Sequence, residues 1–179
     1  LERVKTLGGG IAIQDRMAFQ GEYFLERYGE QAAQRTPPIR KMLELGIPVG
    51  AGTDATRVAS YNPWLSLYWL VAGKTIGGAA LYTEANRLGR EEALKLYTQG
   101  SSWFSGESGK KGAIAAGQLA DLGVVDERHI HALEHFDELI ALARDPEVHR
   151  IARRKPARGS LLQHLKLEGG IDVGQEYVF

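Results

Sequence analysis

The feature that most constrains the fold of this chain is the alternation of helical and extended segments in its first half. Apolar residues at positions 1, 4 and 7 recur at helical spacing before a run of three glycines, and a strand candidate follows at 11–14. A helix, a strand of small residues at 47–51 and a further helix complete the series. Because such alternation is typical of parallel strands covered by helices, it predicts an α/β fold, either an open doubly wound sheet or a barrel.

The helix between the two strands carries signals at both of its ends. Thr36 is expected to cap it, with Pro37 at its first position and Ile39, Met42 and Leu43 on its inner face. Gly46 is expected to end it. These signals place the helix on one face of the predicted sheet.

The rest of the sequence continues to predict helices and short strands. They are predicted as a buried helix at 64–71, a helix at 90–104, a turn at 106–112, short strands at 113–115 and 119–125, and a helical pattern from Ile130 onwards. A complete eight-stranded barrel needs about 250 residues, so a chain of 179 residues would hold only its last part. The chain also starts in helix-like sequence without a methionine, and we therefore expect a piece of a longer protein.

Composition excludes several classes of protein. Lysine and arginine number 22, as do aspartate and glutamate, so the zero net charge argues against a surface built for nucleic acid or anionic lipid. The absence of cysteine excludes disulfides, thiolate zinc sites and cysteine nucleophiles. No apolar run approaches the roughly 20 residues of a membrane span, and no signal peptide opens the chain. We therefore expect a cytoplasmic protein with no membrane or nucleic-acid partner.

Asp54 is the first candidate for chemistry, because it stands just after the strand of small residues. The carboxyl ends of parallel strands are where α/β folds build their sites. The alternative is that Asp54 only stabilises the following turn through its side chain. Its spacing alone leaves both interpretations open.

Three longer stretches carry a resemblance to a known family. The segment GAGTDATRVASYNPW at 50–64 resembles the last barrel strand and following loop of the amidohydrolase superfamily, in the metal-dependent hydrolase branch that includes the N-substituted formamide deformylases. The segment GIAIQDRMAFQGEYF at 10–24 resembles the preceding strand and loop. The segment KKGAIAAGQLADL at 110–122 resembles the passage from the barrel back to a small β-sandwich. Together they imply the C-terminal part of a (β/α)8 barrel with remnant strands of that sandwich.

The resemblance also implies roles for individual residues. Asp54 would contact the metal centre and move a proton from the metal-bound water to the leaving nitrogen. The pocket around a small-molecule substrate would be rimmed by Thr53, Arg57, Tyr61, Asn62 and Trp64.

The family's other metal ligands are missing from this sequence. They comprise an H-x-H pair, a carboxylated lysine or glutamate, and two further histidines, whereas no histidine here precedes His129. A catalytic zinc typically needs three protein ligands. We therefore expect zinc or another divalent metal in the full-length protein and none bound by this chain alone. The H-x-H at 129–131 follows the return segment, and we interpret it as part of a solvated helix face.

These expectations define a domain organisation and two functions. Residues 1–105 would form the barrel part, 106–127 the return segment, and 128–179 a helical and basic tail. The favoured function is the C-terminal portion of an amidohydrolase that hydrolyses a non-peptide C–N bond and is inactive without its missing N-terminal part. The alternative is a non-catalytic module that self-associates or binds a partner through an exposed barrel edge or the basic tail.

Overall fold

Two parallel strands organise the part of the chain that the structure describes. The computed structural model describes residues 1–55 and 59–119, together with 124, 125, 128, 132, 133, 135, 177 and 178. Strand β1 (Ile11–Gln14) pairs in parallel with β2 (Val49–Gly52), and Ile11 lies opposite Val49. The parallel pairing agrees with the sequence prediction. The second strand starts later than predicted, because the main-chain N–H of Ile47 still donates to the preceding helix at Met42.

Seven α-helices surround this pair within the described residues. In chain order they are α1 (Glu2–Thr6), α2 (Arg16–Tyr28), α3 (Glu30–Ala33), α4 (Ile39–Glu44), α5 (Pro63–Ala72), α6 (Arg90–Lys95) and α7 (Ser101–Phe104). A 3₁₀ helix covers Glu84–Asn86 and a π-helical turn covers Leu96–Gly100. Strand β3 (Val124–Val125) pairs antiparallel with β4 (Tyr177–Val178).

Helix α2 is the element that the sequence prediction missed, since the segment after β1 was interpreted as a loop. Met17, Ala18 and Gly21 form its buried face. A Cβ atom at Gly21 would lie 2.7 Å from a methyl group of Leu81 and 2.8 Å from that of Thr75. A glycine inside a helix normally lowers helix propensity. Here the glycine permits close packing, which local sequence does not reveal.

Helix α4 corrects the predicted capping. Pro38 is the N-cap residue, and the Thr36 hydroxyl instead donates to the main-chain oxygen of Ala32 at 2.8 Å. Pro37 therefore precedes the helix and does not occupy its first turn. The predicted inner face is confirmed, because Ile39 and Met42 are buried and the partly buried Leu43 packs against the core.

Helix α5 forms the centre of the core, as its apolar sequence predicted. Its residues 65–72 are all buried, and Asn62 caps it by accepting a hydrogen bond from the Trp64 N–H at 3.0 Å. The Trp69 indole donates to the Tyr82 hydroxyl, which donates to the main-chain oxygen of Thr36. Burial raises the pKa of Tyr82 far above its usual range. This pair of hydrogen bonds ties α5 to the segment before α4.

The helix predicted at 90–104 is present, but the π-helical turn interrupts its regular geometry. At the end of that turn, Gly100 packs directly on β2, and the Ser101 hydroxyl donates to the main-chain oxygen of Ala51 at 3.2 Å. The predicted strand at 113–115 is absent, because the main-chain N–H of Ala113 donates to the Gln118 side chain and makes no ladder bond. Of the predicted strand at 119–125, the structure describes β3.

The helical pattern from Ile130 and the basic stretch at 144–158 fall almost entirely outside the described residues, so both remain sequence predictions. Within the described part, Ala132 and Leu133 are buried.

An ion pair links α4 to α6, and its removal is our first prediction. Arg40 donates to both carboxylate oxygens of Glu92, at 2.7 and 3.1 Å, and this pairing lowers the pKa of Glu92. Glu92 is about half exposed, so we expect Glu92→Gln to lower the free energy of unfolding at pH 7 by only about 1 kcal/mol. Folding lowers the pKa of Glu92. The ion pair therefore stabilises the fold fully at a pH above the pKa of Glu92 in the unfolded chain, and this stabilisation is lost as the pH falls through the pKa of Glu92 in the folded protein.

Urea unfolding at pH 7 and pH 3 measures both parts of this prediction. Glu91→Gln is the matched control, since Glu91 pairs with Lys95 on the exposed side of the same helix. Equal losses for the two variants at pH 7, or a Glu92→Gln loss that does not become smaller between pH 7 and pH 3, would contradict it.

Candidate functional site

The turn after β2 presents Asp54 at the carboxyl end of the parallel pair. Asp54 is exposed and has φ +50°, the one non-glycine residue with positive φ in the part of the chain that the structure describes. Aspartate tolerates this left-handed conformation better than most residues. The Thr53 hydroxyl accepts a hydrogen bond from the Ala55 N–H at 3.3 Å, which closes the turn. The backbone thus holds the Asp54 carboxylate outside the sheet.

The other predicted site residues differ in their surroundings. Thr53 is half-buried in the turn and adjoins Asp54, and Tyr61, shortly before α5, is 79% exposed, so both side chains are accessible. Asn62 and Trp64 already have structural roles, as the α5 cap and as a side chain packed against the core. Arg57 lies outside the described residues. The predicted contacts of these residues with substrate stay predictions.

A second carboxylate follows the neighbouring strand, and the sequence analysis did not single it out. Asp15 comes directly after β1 and has 0% exposure, and neither of its carboxylate oxygens has a hydrogen-bond partner in another described residue. Burial and, to a smaller extent, the charge of Asp54 raise its pKa to about 6, although a hydrogen bond from its own main-chain N–H opposes the rise. The signal that would have found it is the one that selected Asp54, an acidic residue just beyond a parallel strand.

Two buried hydroxyls share the surroundings of Asp15. Tyr97, in the π-helical turn, is close enough for the Asp15 charge to act on it, and burial raises the pKa of Tyr97 to about 12. The Ser66 side chain, on α5, opposes that rise. Neither hydroxyl has a main-chain or carboxylate hydrogen-bond partner among the described residues. The end of β1 therefore leads into an enclosed polar cluster of Asp15, Ser66 and Tyr97.

The described residues do not form a metal site by themselves. No group of three histidine, cysteine, aspartate or glutamate side chains within 1–55, 59–119 and the isolated described positions is arranged to hold an ion. Asp54 offers a single carboxylate, and Asp15 is enclosed in the protein. A divalent metal would need further ligands from elsewhere.

Comparison with known proteins identifies the class. Residues 1–153 match the Amidohydrolase family, so the chain belongs to that family. It is 32% identical over 127 residues to an N-substituted formamide deformylase from Arthrobacter pascens, covering 70% of this chain and 23% of that protein. It is 27% identical over 164 residues to a 5-methylthioadenosine/S-adenosylhomocysteine deaminase from Syntrophobacter fumaroxidans, covering 83% of this chain and 36% of that protein.

A solved structure supports the fold. The crystal structure of an uncharacterized metal-dependent hydrolase from Pyrococcus horikoshii OT3 superimposes with a TM-score of 0.57 at 26% identity, over 66% of this chain and 24% of that one. Family and neighbour together indicate a TIM-barrel-type fold. The chain spans about a quarter to a third of the length of the relatives it matches. Within the described residues, no helix combines the length and apolar character needed to cross a membrane.

Proposed function

We propose that this chain is the C-terminal portion of a metal-dependent amidohydrolase, and that the whole protein hydrolyses a C–N bond other than a peptide bond. The observation that carries the proposal is the placement of Asp54, exposed and fixed by a left-handed turn at the carboxyl end of β2. Enzymes of the barrel type build their sites at this end of the strands. Membership of the Amidohydrolase family supports the same reading.

In this proposal Asp54 moves a proton during hydrolysis. Its carboxylate accepts a proton from the attacking water and returns it to the nitrogen as the C–N bond breaks. For an N-substituted formamide the balance is one formamide and one water giving one amine and one formic acid. Thr53, Tyr61 and Arg57 would stand around the substrate. Asn62 and Trp64 would hold the start of α5 against that pocket.

The metal belongs to the whole protein in this proposal. Asp54 would be one ligand of zinc or another divalent ion, which when bound makes water acidic enough to attack at neutral pH. The other ligands would come from outside the described residues. The chain alone would then hold no metal and hydrolyse nothing.

The exposed side of β1 supports the proposed arrangement of 1–105 as one part of a larger barrel. Among the described residues β1 pairs only with β2, and a groove of about 550 Å³ runs beside it. Tyr23, Tyr28 and Met42 contribute to its lining. An unpaired strand edge beside apolar side chains is typical of a surface that another β/α unit covers.

The test is hydrolysis by the whole protein with and without its metal. We expect release of formate from a panel of N-substituted formamides, loss of that release after dialysis against a chelator, and recovery when zinc is restored. Protein prepared without any divalent metal but with unchanged hydrolysis would overturn the metal-dependent proposal. No hydrolysis of formamides or other amides, together with capture of a specific partner, would instead support the non-catalytic alternative.

A further inference from the structure

We propose that Asp15 is a positioning residue for Asp54: a buried carboxylate at the end of β1 that keeps the Asp54 carboxylate turned away from the sheet. This inference rests on the proposed function. It concerns a group that the proposed proton transfer does not use. It starts from the burial of the Asp15 side chain, which has no hydrogen-bond partner in any other described residue.

The register of the strands places the main chains of Asp15 and Asp54 close together. Gln14 lies opposite Gly52 at the end of the ladder, so Asp15 is level with Thr53, one residue before Asp54. Neighbouring strands lie about 4.8 Å apart. The side chains nevertheless have opposite environments, since Asp15 has no exposed surface and Asp54 is exposed. A negative charge enclosed at the strand end disfavours any inward rotation of the Asp54 carboxylate.

A purely structural role at the helix start does not account for Asp15. It is the N-cap residue of α2, but its side chain makes no capping hydrogen bond. The Ala18 N–H, which such a side chain would satisfy, donates to the main-chain oxygen of Asp15 at 2.9 Å. An asparagine would serve equally well as an N-cap.

Stability does not account for it either. Enclosing a carboxylate is unfavourable when no other residue donates to it, and within the described part of the chain no hydrogen bond from another residue reaches either oxygen of Asp15. Groups that lower stability in this way are characteristic of functional sites. We therefore expect the carboxylate of Asp15 to oppose folding and to support catalysis.

Asp15→Asn in the whole protein separates these two effects, because asparagine keeps the size of the side chain and removes its charge. At pH 8 we expect Tm to rise, while kcat for formamide hydrolysis falls about tenfold to a hundredfold with KM nearly unchanged. Glu26→Gln is the control, since it removes one charge from the exposed side of α2. That variant should match the wild type in both measurements.

The outcomes distinguish this inference from the proposed function. A wild type that hydrolyses no substrate of the panel would refute the proposed function and, with it, the positioning role. An active wild type with an Asp15→Asn variant of unchanged kcat would overturn only the positioning role. A variant of lower Tm, or one that fails to fold, would show that Asp15 supports the structure and would also overturn it.

Discussion

Asp54→Asn in the whole protein is expected to lower kcat for hydrolysis by about a hundredfold to ten-thousandfold, the range typical of losing a proton-transferring group. Asparagine is the informative replacement because it shares the tolerance of aspartate for positive φ, and Asp54 has φ +50°. The turn closed by Thr53 should therefore survive the change. An alanine would remove the carboxylate and also strain the backbone, so a loss of kcat could not be assigned to either change.

Steady-state kinetics and bound metal should be measured on the same preparations. Glu26→Gln again serves as the control for loss of one negative charge, and we expect its kcat to equal that of the wild type. If Asp54→Asn retained more than half of the wild-type kcat with its metal content unchanged, Asp54 would be only a turn residue. That outcome corresponds to the alternative that its spacing in the sequence left open.

Gly100→Ala is expected to destabilise the fold by about 2–4 kcal/mol, the upper range for a side chain forced into a filled site. The backbone at Gly100 has φ −61° and ψ −45°, which alanine adopts readily. On an open helix the same change would stabilise by about 1 kcal/mol. Here a Cβ atom would lie 2.1 Å from the main-chain oxygen of Val49, in β2. Because this clash is with main-chain atoms, we expect the substitution to lower the free energy of unfolding.

Gly89→Ala is the matched control for urea unfolding of this variant. Gly89 has φ −67°, and the nearest atom to an added Cβ there is the Glu92 carboxylate at 3.4 Å. We expect a change of less than about 1 kcal/mol, since only a weak N-cap preference is lost. A Gly100→Ala protein as stable as this control would mean that the end of the π-helical turn does not pack on β2 as the structure shows.

The sequence was sufficient to predict elements whose signals are local. Strand β1 lies where it was predicted, and α5 shows the burial that its uniformly apolar sequence indicated. Gly46 ends α4 with φ +67°, as expected for a helix stop. Each of these features depends on residues within one or two turns of chain.

Features that depend on distant residues were not accessible in this way. Helix α2 contains Gly21, whose packing against Thr75 and Leu81 becomes visible only when the fold brings them together. The burial of Asp15 likewise depends on Ser66 and Tyr97 from two later elements. The candidate site was therefore predicted at Asp54 but not in the cluster behind it.

The π-helical turn Leu96–Gly100 changes the angular phase of the long helical segment that contains it. Each residue of an α-helix advances by about 100°, so one extra residue in a turn rotates everything after it by that angle. Before the turn, Ala93 and Leu94 belong to the buried core that includes α5; after it, Ser101 and Phe104 contact β2. The continuous helical segment from α6 to α7 therefore packs against both α5 and β2, which a regular helix could not contact together. Deleting one residue from the π-helical turn would restore regular helical geometry, and the segment would then lose its packing against either α5 or β2.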